Sequence, residues 1–311
     1  MEQNEVKEQP FYQAATAHDI SVITPAQGYD AMPPPSEQPS CSTCSGGGRS
    51  TTNSFVYALG RIEARFPNLA AEKEFAQATG RTDTVYKTDQ QSFHFVLSRN
   101  ENRYLLRQLC WVLTIQGLET YLLLPRDPTD IDLLVAAIRP EPSPNDIDVI
   151  IGMRGPMAPP EMCNGLMVPI VAFDQIYSFE RNTLIGAIPK PAKPGKAAAA
   201  QHHAVAEELF DRIMLLTDNS GNTAEHRALN YLAMRYPAIY ARAAKEFARD
   251  FSLTGVEVRP SPLSGTRNIV EVIFAYTDRK TDFTEKFFVG VDVTEEFPFL
   301  VKKLSPYFDR Y

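Results

Sequence analysis

Four cysteines carry the sharpest chemical signal in the chain: Cys41, Cys44, Cys110 and Cys163. Cys41 and Cys44 are separated by two residues, the spacing at which two thiolates share a zinc ion or form a redox pair. A structural zinc takes four ligands, and neither a second CxxC nor an HxxxH occurs to complete the set. The pair also lies in a Ser/Gly-rich stretch, not at the strand-to-helix junction of a thioredoxin motif. It is therefore either a solvated dithiol or a zinc half-site completed elsewhere or across a dimer. Cys110 and Cys163 have apolar neighbours and are expected to be free thiols in the core, the ordinary state in a reducing compartment. Glu161 beside Cys163 suggests a carboxylate near a nucleophile, but no histidine lies nearby in sequence to act as base. His202 and His203 are neighbours at a helix start, do not share a face and chelate poorly, whereas His203 and Glu207 suit a surface i,i+4 pair. No GxSxG elbow, P-loop or GxGxxG follows a strand, and Gly46–Gly48 lies in a linker-like stretch.

The groups around Cys163 are held by the most distinctive stretch of the chain, Ile147 to Glu180. Two apolar runs, Ile147–Met153 and Leu166–Phe179, are rich in β-branched residues and read as buried strands. Gly155, Pro156, Pro159, Pro160 and Gly165 lie between them and exclude a continuous helix. The expected product is a structured loop presented by two strands, carrying Arg154, Glu161 and Asn164. Upstream, Phe55–Glu63 reads as a strand, and Asn68 caps a helix that stops at Gly80. Asp89–Ser98 and Glu101–Cys110 read as helices, Trp111–Pro125 as a hairpin turning near Gly117, and Asp130–Ile138 as a short helix.

Lys190–Ala200 holds Pro191, Pro194 and Gly195 and reads as an irregular linker or surface loop, a subdomain break near residues 190–200. Helical spacing resumes over His202–Leu216 and Thr223–Arg235, and Pro237 opens another helix burying Ile239, Tyr240, Ala243 and Phe247. Val256–Arg259, Asn268–Tyr276 and Phe283–Val293 form a β-meander, and Phe297–Leu304 is expected to close the chain as a helix. The fold class expected is α+β: antiparallel or mixed sheet elements with packed helices and a β-meander in the C-terminal third. Residues 1–53, rich in Pro, Ser and Gly, are expected to be a flexible tail, and residues 54–311 one folded domain.

The net charge of −7 argues against a general nucleic-acid surface. No run of about 18 apolar residues marks a membrane span. The acidic N-terminus lacks the basic start and apolar centre of a signal peptide, so a cytoplasmic protein is expected.

Four long segments carry a family resemblance: VYALGRIEARFPNLAAEKEFAQATGR, NRYLLRQLCWVLTIQGLETYLLLPRDPTDIDLLV, VIIGMRGPMAPPEMCNGLMVPIVAFDQIYSF and FFVGVDVTEEFPFLVKKLSPYFDRY. From about Phe55 to Tyr311 the chain resembles the C-terminal domain of the cyanobactin maturation protein PatG, a domain also found at the end of PatA. In PatG that domain follows a subtilisin-like macrocyclase. Only residues 1–53 precede the match in this sequence, so protease and macrocyclase activity are not expected to carry over. The resemblance implies a non-catalytic accessory protein of ribosomal-peptide maturation. Such a protein would bind the precursor (leader) peptide, scaffold the peptide-modifying enzymes of its pathway, and form a homodimer. On that reading Arg154, Glu161 and Asn164 are candidate peptide contacts, Cys41 and Cys44 are the only zinc candidates, and no cofactor is expected. Two alternatives stand beside it: a peptide-modifying enzyme with a site near Arg154, Glu161, Cys163 and Asn164, and a purely architectural dimerisation domain.

Overall fold

The computed structural model describes residues 54–80, 88–186, 196–214 and 219–308, and these combine helices with two sheets, an α+β architecture. The first sheet is a closed barrel of β1 (Phe55–Arg65), β2 (Cys110–Ile115), β3 (Leu118–Pro125), β4 (Asp146–Met157) and β5 (Pro169–Glu180), in the order β1-β2-β3-β5-β4. All its pairings are antiparallel except β3 with β5. A short helix, α3 (Ile131–Ala137), connects β3 to β4. This strand order, with a helix at that point, is the arrangement of the OB-fold barrel. The long β1–β2 connection carries α1 (Leu69–Thr79) and α2 (Asp89–Leu97).

Local chemistry explains these starts and stops. The Asn68 side chain accepts from the Ala71 amide at 3.0 Å and opens α1, and Gly80, at φ +63°, ends it. Thr88 and Gln91 form a capping box that opens α2. Gln116 and Gly117 both have positive φ, the two-residue turn that matches the twist of paired strands. Glu101–Cys110 departs from the helix expected there. Asn100–Arg107 forms only a 3-10 segment and Cys110 already begins β2, with the Trp111 indole donating to the Leu106 carbonyl at 3.0 Å.

The C-terminal half adds α4 (Arg181–Gly186), α5 (Lys196–Met214), α6 (Ala224–Arg235) and α7 (Ala238–Phe247). A second sheet follows, of β6 (Phe251–Pro260), β7 (Ile269–Asp278), β8 (Thr284–Asp292) and β9 (Phe299–Tyr307), in sequence order. Two expectations fail here. Residues 196–200 are helical, so the irregular stretch expected over Lys190–Ala200 does not extend that far; residues 187–195 lie outside the described residues. Phe297–Leu304 is not a helix: β9 pairs with β8 across two register shifts, and these set Leu300 and Leu304 against the core. Of the apolar residues here, a bulged strand partly buries Leu300 and Leu304 and leaves Phe299 and Val301 exposed.

The apolar runs of β1 and β4 follow from burial on both faces. Val56, Ala58 and Ile150 point into the barrel, against Trp111, Leu113 and Phe173. Tyr57, Leu59, Val149 and Ile151 point outward into a second core built from α5, α6, α7 and the inner face of the meander. Strands covered on both sides read as continuous hydrophobic runs. A buried carboxylate ties three of the barrel strands: Asp148 on β4 accepts from the Ile62 amide at 2.8 Å and the Ser178 hydroxyl at 2.6 Å. Burial pushes this carboxyl up, and the Arg139 guanidinium, 3.6 Å away, opposes that rise.

β1 joins the two halves. β2 pairs with it only from Arg61 onward, so Tyr57 has a free edge within the barrel. The segment before α6 fills that edge. The Tyr57 amide donates to the Gly221 carbonyl at 2.8 Å, and the Tyr57 carbonyl accepts from Asn230 Nδ2 at 2.8 Å. Asn219 and Asn230 bond each other, and the Tyr121 hydroxyl donates to the Ser220 carbonyl at 3.0 Å. Gly221 has φ +72°, and a Cβ there would stand 2.4 Å from the Tyr57 oxygen. Gly221→Ala should therefore destabilise the protein by about 2 kcal/mol or more. Asn230→Ala, which strands the Tyr57 carbonyl and the Asn219 side-chain oxygen, should cost roughly 2–3 kcal/mol. Urea unfolding of each variant measures both.

Candidate functional site

The β4–β5 loop is built from its own backbone. Ala158 donates to Val168 at 2.8 Å, Gly165 to Pro160 at 2.7 Å and Leu166 to Cys163 at 2.9 Å. Asn164 and Gly165 both have positive φ, which turns the chain tightly at the loop's tip. The loop does not project freely. Ala158, Cys163 and the half-buried Met162, Leu166 and Val168 pack on Cys110, Val112 and Leu122, covering the outer face of β2 and β3.

A disulfide fixes this packing. Cys110 on β2 and Cys163 in the loop are joined, with 5.7 Å between their Cα atoms. Burial of both was expected, but the free-thiol reading is corrected. The pairing escaped the sequence because the two lie 53 residues apart and meet only when the loop folds back over β2. The correction also removes Cys163 as a nucleophile, since a disulfide sulfur carries no thiolate.

Beside the folded-back loop opens a cleft of about 740 Å³. Cys163, Asn164, Gly165 and Leu166 form one wall; Arg65, Phe66, Asn68, Leu69 and Glu72, where β1 gives way to α1, form the other, with Glu119 of β3. Its rim mixes charge and apolar surface. Arg65 pairs with Glu63 at 3.0 Å and also with Glu119, and Leu69 is 61 % exposed. These ion pairs are open to solvent and orient the guanidinium more than they stabilise the fold.

The structure separates the sequence candidates. Asn164 lines the cleft. Arg154 and Glu161 are exposed but are not among its walls. Arg154 lies on β4 near Tyr121, where its charge opposes the rise that burial imposes on the Tyr121 hydroxyl. Glu161 sits in a 3-10 turn, Pro160–Met162, within the loop. Arg65, Phe66, Leu69 and Glu119 were not found from sequence, and Pro67, which breaks the chain between strand and helix, is the signal nearest to them. Cys41, Cys44 and the zinc half-site they would form lie outside the described residues. Among the described residues no group of His, Cys, Asp and Glu is placed to hold a metal ion. His203 pairs with Glu207 at 3.4 Å on the surface of α5, as expected. No described helix is long and apolar enough to cross a membrane.

One titratable cluster lies apart from the cleft. Arg126 at the end of β3 pairs with Asp174 on β5 at 2.6 Å and with Glu296, between β8 and β9, at 3.2 Å. Burial, and then the neighbouring Asp174 carboxylate, raise Glu296 to about 7. The buried guanidinium of Arg227 holds the backbone here, donating to the Val293 carbonyl at 2.8 Å and the Glu296 carbonyl at 3.1 Å. The network lies outside the cleft's walls, and its contacts tie β3, β5 and the β8–β9 connection together.

Glu296 binds its proton more tightly folded than unfolded, so its contribution is full below about pH 4.5 and is lost as pH rises through about 7. Glu296→Gln should remove that loss. The melting temperature of the variant relative to the parent should rise between pH 5 and pH 8, measured by thermal melts across this range. Reduction of Cys110–Cys163 frees a loop of 53 residues in the unfolded chain and should cost up to about 4 kcal/mol. Denaturation with and without a reductant checks this.

Residues 196–307 match the family described as "PatG C-terminal". A solved structure described as "PatG Domain of Unknown Function" shares the fold, with a TM-score of 0.66 at 21% identity over 82% of this chain and 99% of that one. No curated protein matches the chain. The family match covers α5 to β9, while the barrel before it is shared at the level of fold. The resemblance read from the sequence is thus borne out: residues 196–307 match the PatG C-terminal family, and most of the chain has the fold of a PatG domain whose function is unknown.

Proposed function

We propose that the protein is an accessory factor of ribosomal-peptide maturation that binds a precursor peptide and presents it to separate modifying enzymes. The observation that carries this reading is the cleft between the β1–α1 turn and the disulfide-tethered loop. It is an open site about 740 Å³ in volume, with apolar side chains Phe66, Leu69 and Leu166 beside the polar groups of Arg65, Glu119 and Asn164. Such a mixture suits a peptide, whose apolar side chains need shelter and whose amides need partners. Fold-level analogy supports the place and not the ligand: OB-fold barrels bind oligonucleotides and oligosaccharides at the strand 2–3 face and the β1–β2 and β4–β5 loops. In this barrel the β4–β5 loop itself covers the β2–β3 face, so the accessible part of that region is the cleft. Holding a peptide beside a tethered enzyme raises its effective concentration without new chemistry.

Titration of the purified protein with the precursor peptide of its pathway tests this, read by calorimetry in low salt. Binding in the micromolar range is expected, weakened at least about tenfold, or about 1.4 kcal/mol, by Leu69→Asp. Absence of binding at tens of micromolar, or a Leu69→Asp variant that binds as the parent does, would overturn the reading. Mass spectrometry of the precursor after incubation with the protein alone should show no change, because the modification belongs to a partner enzyme.

A further inference from the structure

A second surface lies at the edge of the meander, away from the cleft's walls. β6 is the first strand of its sheet, and among the described residues no strand pairs with its outer side. The direction of its amides follows from the register. The Ser261 amide donates to the Ile269 carbonyl at 2.8 Å, and Pro260 stands opposite Val270, so Ser261 and Ile269 form a hydrogen-bonded pair. Antiparallel pairs alternate between bonded and non-bonded. Arg259 and Glu257 therefore bond to β7, whereas Val258 and Val256 turn their N–H and C=O groups outward. Pro260 falls at an outward position too, where its missing N–H leaves no broken rung.

Part of this edge borders a groove. Thr254, Gly255 and Val256 form one side of a groove of about 750 Å³, and Ala204, Glu207, Glu208, Asp211 and Arg212 of α5 form the other. The α5 side carries three carboxylates and one guanidinium, and the β6 side carries no charged residue. Glu208 is 50% exposed, paired with Arg212 only at 3.5 Å. Arg181 and His203 reach Glu207 at 3.8 and 3.4 Å, and Arg181 reaches Asp211 at 2.9 Å, so Glu208 is the carboxylate whose partners hold it least. Exposed strand edges are commonly guarded by lysines, which repel a second strand. Here the groove wall opposite the edge, on α5, carries acid instead.

We propose that this groove accepts an extended, basic segment of a partner polypeptide as a fifth strand of the meander. The outward groups of Val256 and Val258 would supply the ladder, and the carboxylates of α5 would receive lysine or arginine side chains at alternate positions. The proposal is independent of the cleft and stands if the cleft binds nothing.

The probe is a short labelled peptide of alternating lysine and valine, read by fluorescence anisotropy against the full chain. Two controls accompany it: a glutamate–valine counterpart, and the lysine peptide with alternate backbone amides methylated, which keeps its charge but cannot complete a ladder. The lysine peptide should bind at least about tenfold more tightly than either control. Glu208→Lys should weaken it by a similar factor while leaving the melting temperature unchanged. Leu69→Asp should have no effect on it. Hydrogen exchange should slow at Val256 and Val258 on binding. Equal binding of the methylated peptide would reduce the effect to charge attraction and overturn strand addition. Equal binding of the glutamate peptide, or none of the lysine peptide, overturns the proposal outright. A dimer that the lysine peptide dissociates would make a second copy the natural occupant and overturn the assignment to a basic partner.

Discussion

The molecule depends on the backbone of one residue, Tyr57. Its strand is paired with β4 on one side, and the barrel leaves its other side bare until Arg61. A buried, unpaired N–H and C=O would be costly, and water does not reach them. The chain answers from far away, with the Gly221 carbonyl and the Asn230 amide. Only glycine fits at 221, because the approach is too close for a Cβ and the φ is positive. The same contact sets α6 against β1, and α6 and its neighbours then bury the outer face of β1 and β4 while supporting the meander. Barrel and meander are thus two sides of one apolar body.

The parts that could be read from sequence were those with local causes. Asn68 announced a helix start because its side chain bonds the amide three residues on. Gly117 announced a hairpin because the turn needs positive φ. The apolar runs of β4 and β5 showed through their β-branched composition. Features set by distant partners did not show. β9 carries a spacing that fits a helix, and only its pairing with β8 makes it a strand. The parallel contact of β3 with β5, and the covalent tie between Cys110 and Cys163, join residues with no local signature of each other.

The candidate site repeats this division. Asn164 was found because Gly and Pro punctuate the loop around it. Arg65 and Glu119 were not, because the cleft exists only where the end of β1, the start of β3 and the folded-back loop come together. The loop's role also changed in kind. Its Gly/Pro content invited a catalytic reading, but its thiol is spent in a covalent tie and its apolar side chains seal a barrel face. It serves as a wall more than as a reaction centre.

The Tyr57–Asn230 bond spans 173 positions of sequence. During synthesis β1 leaves the ribosome early, while the groups that complete it come roughly ten seconds or more later at ordinary elongation rates. Through that interval the apolar outer faces of β1 and β4 have no cover from α6. The contact that completes the β1 edge is thus among the most non-local in the fold, and such contacts are slow to form.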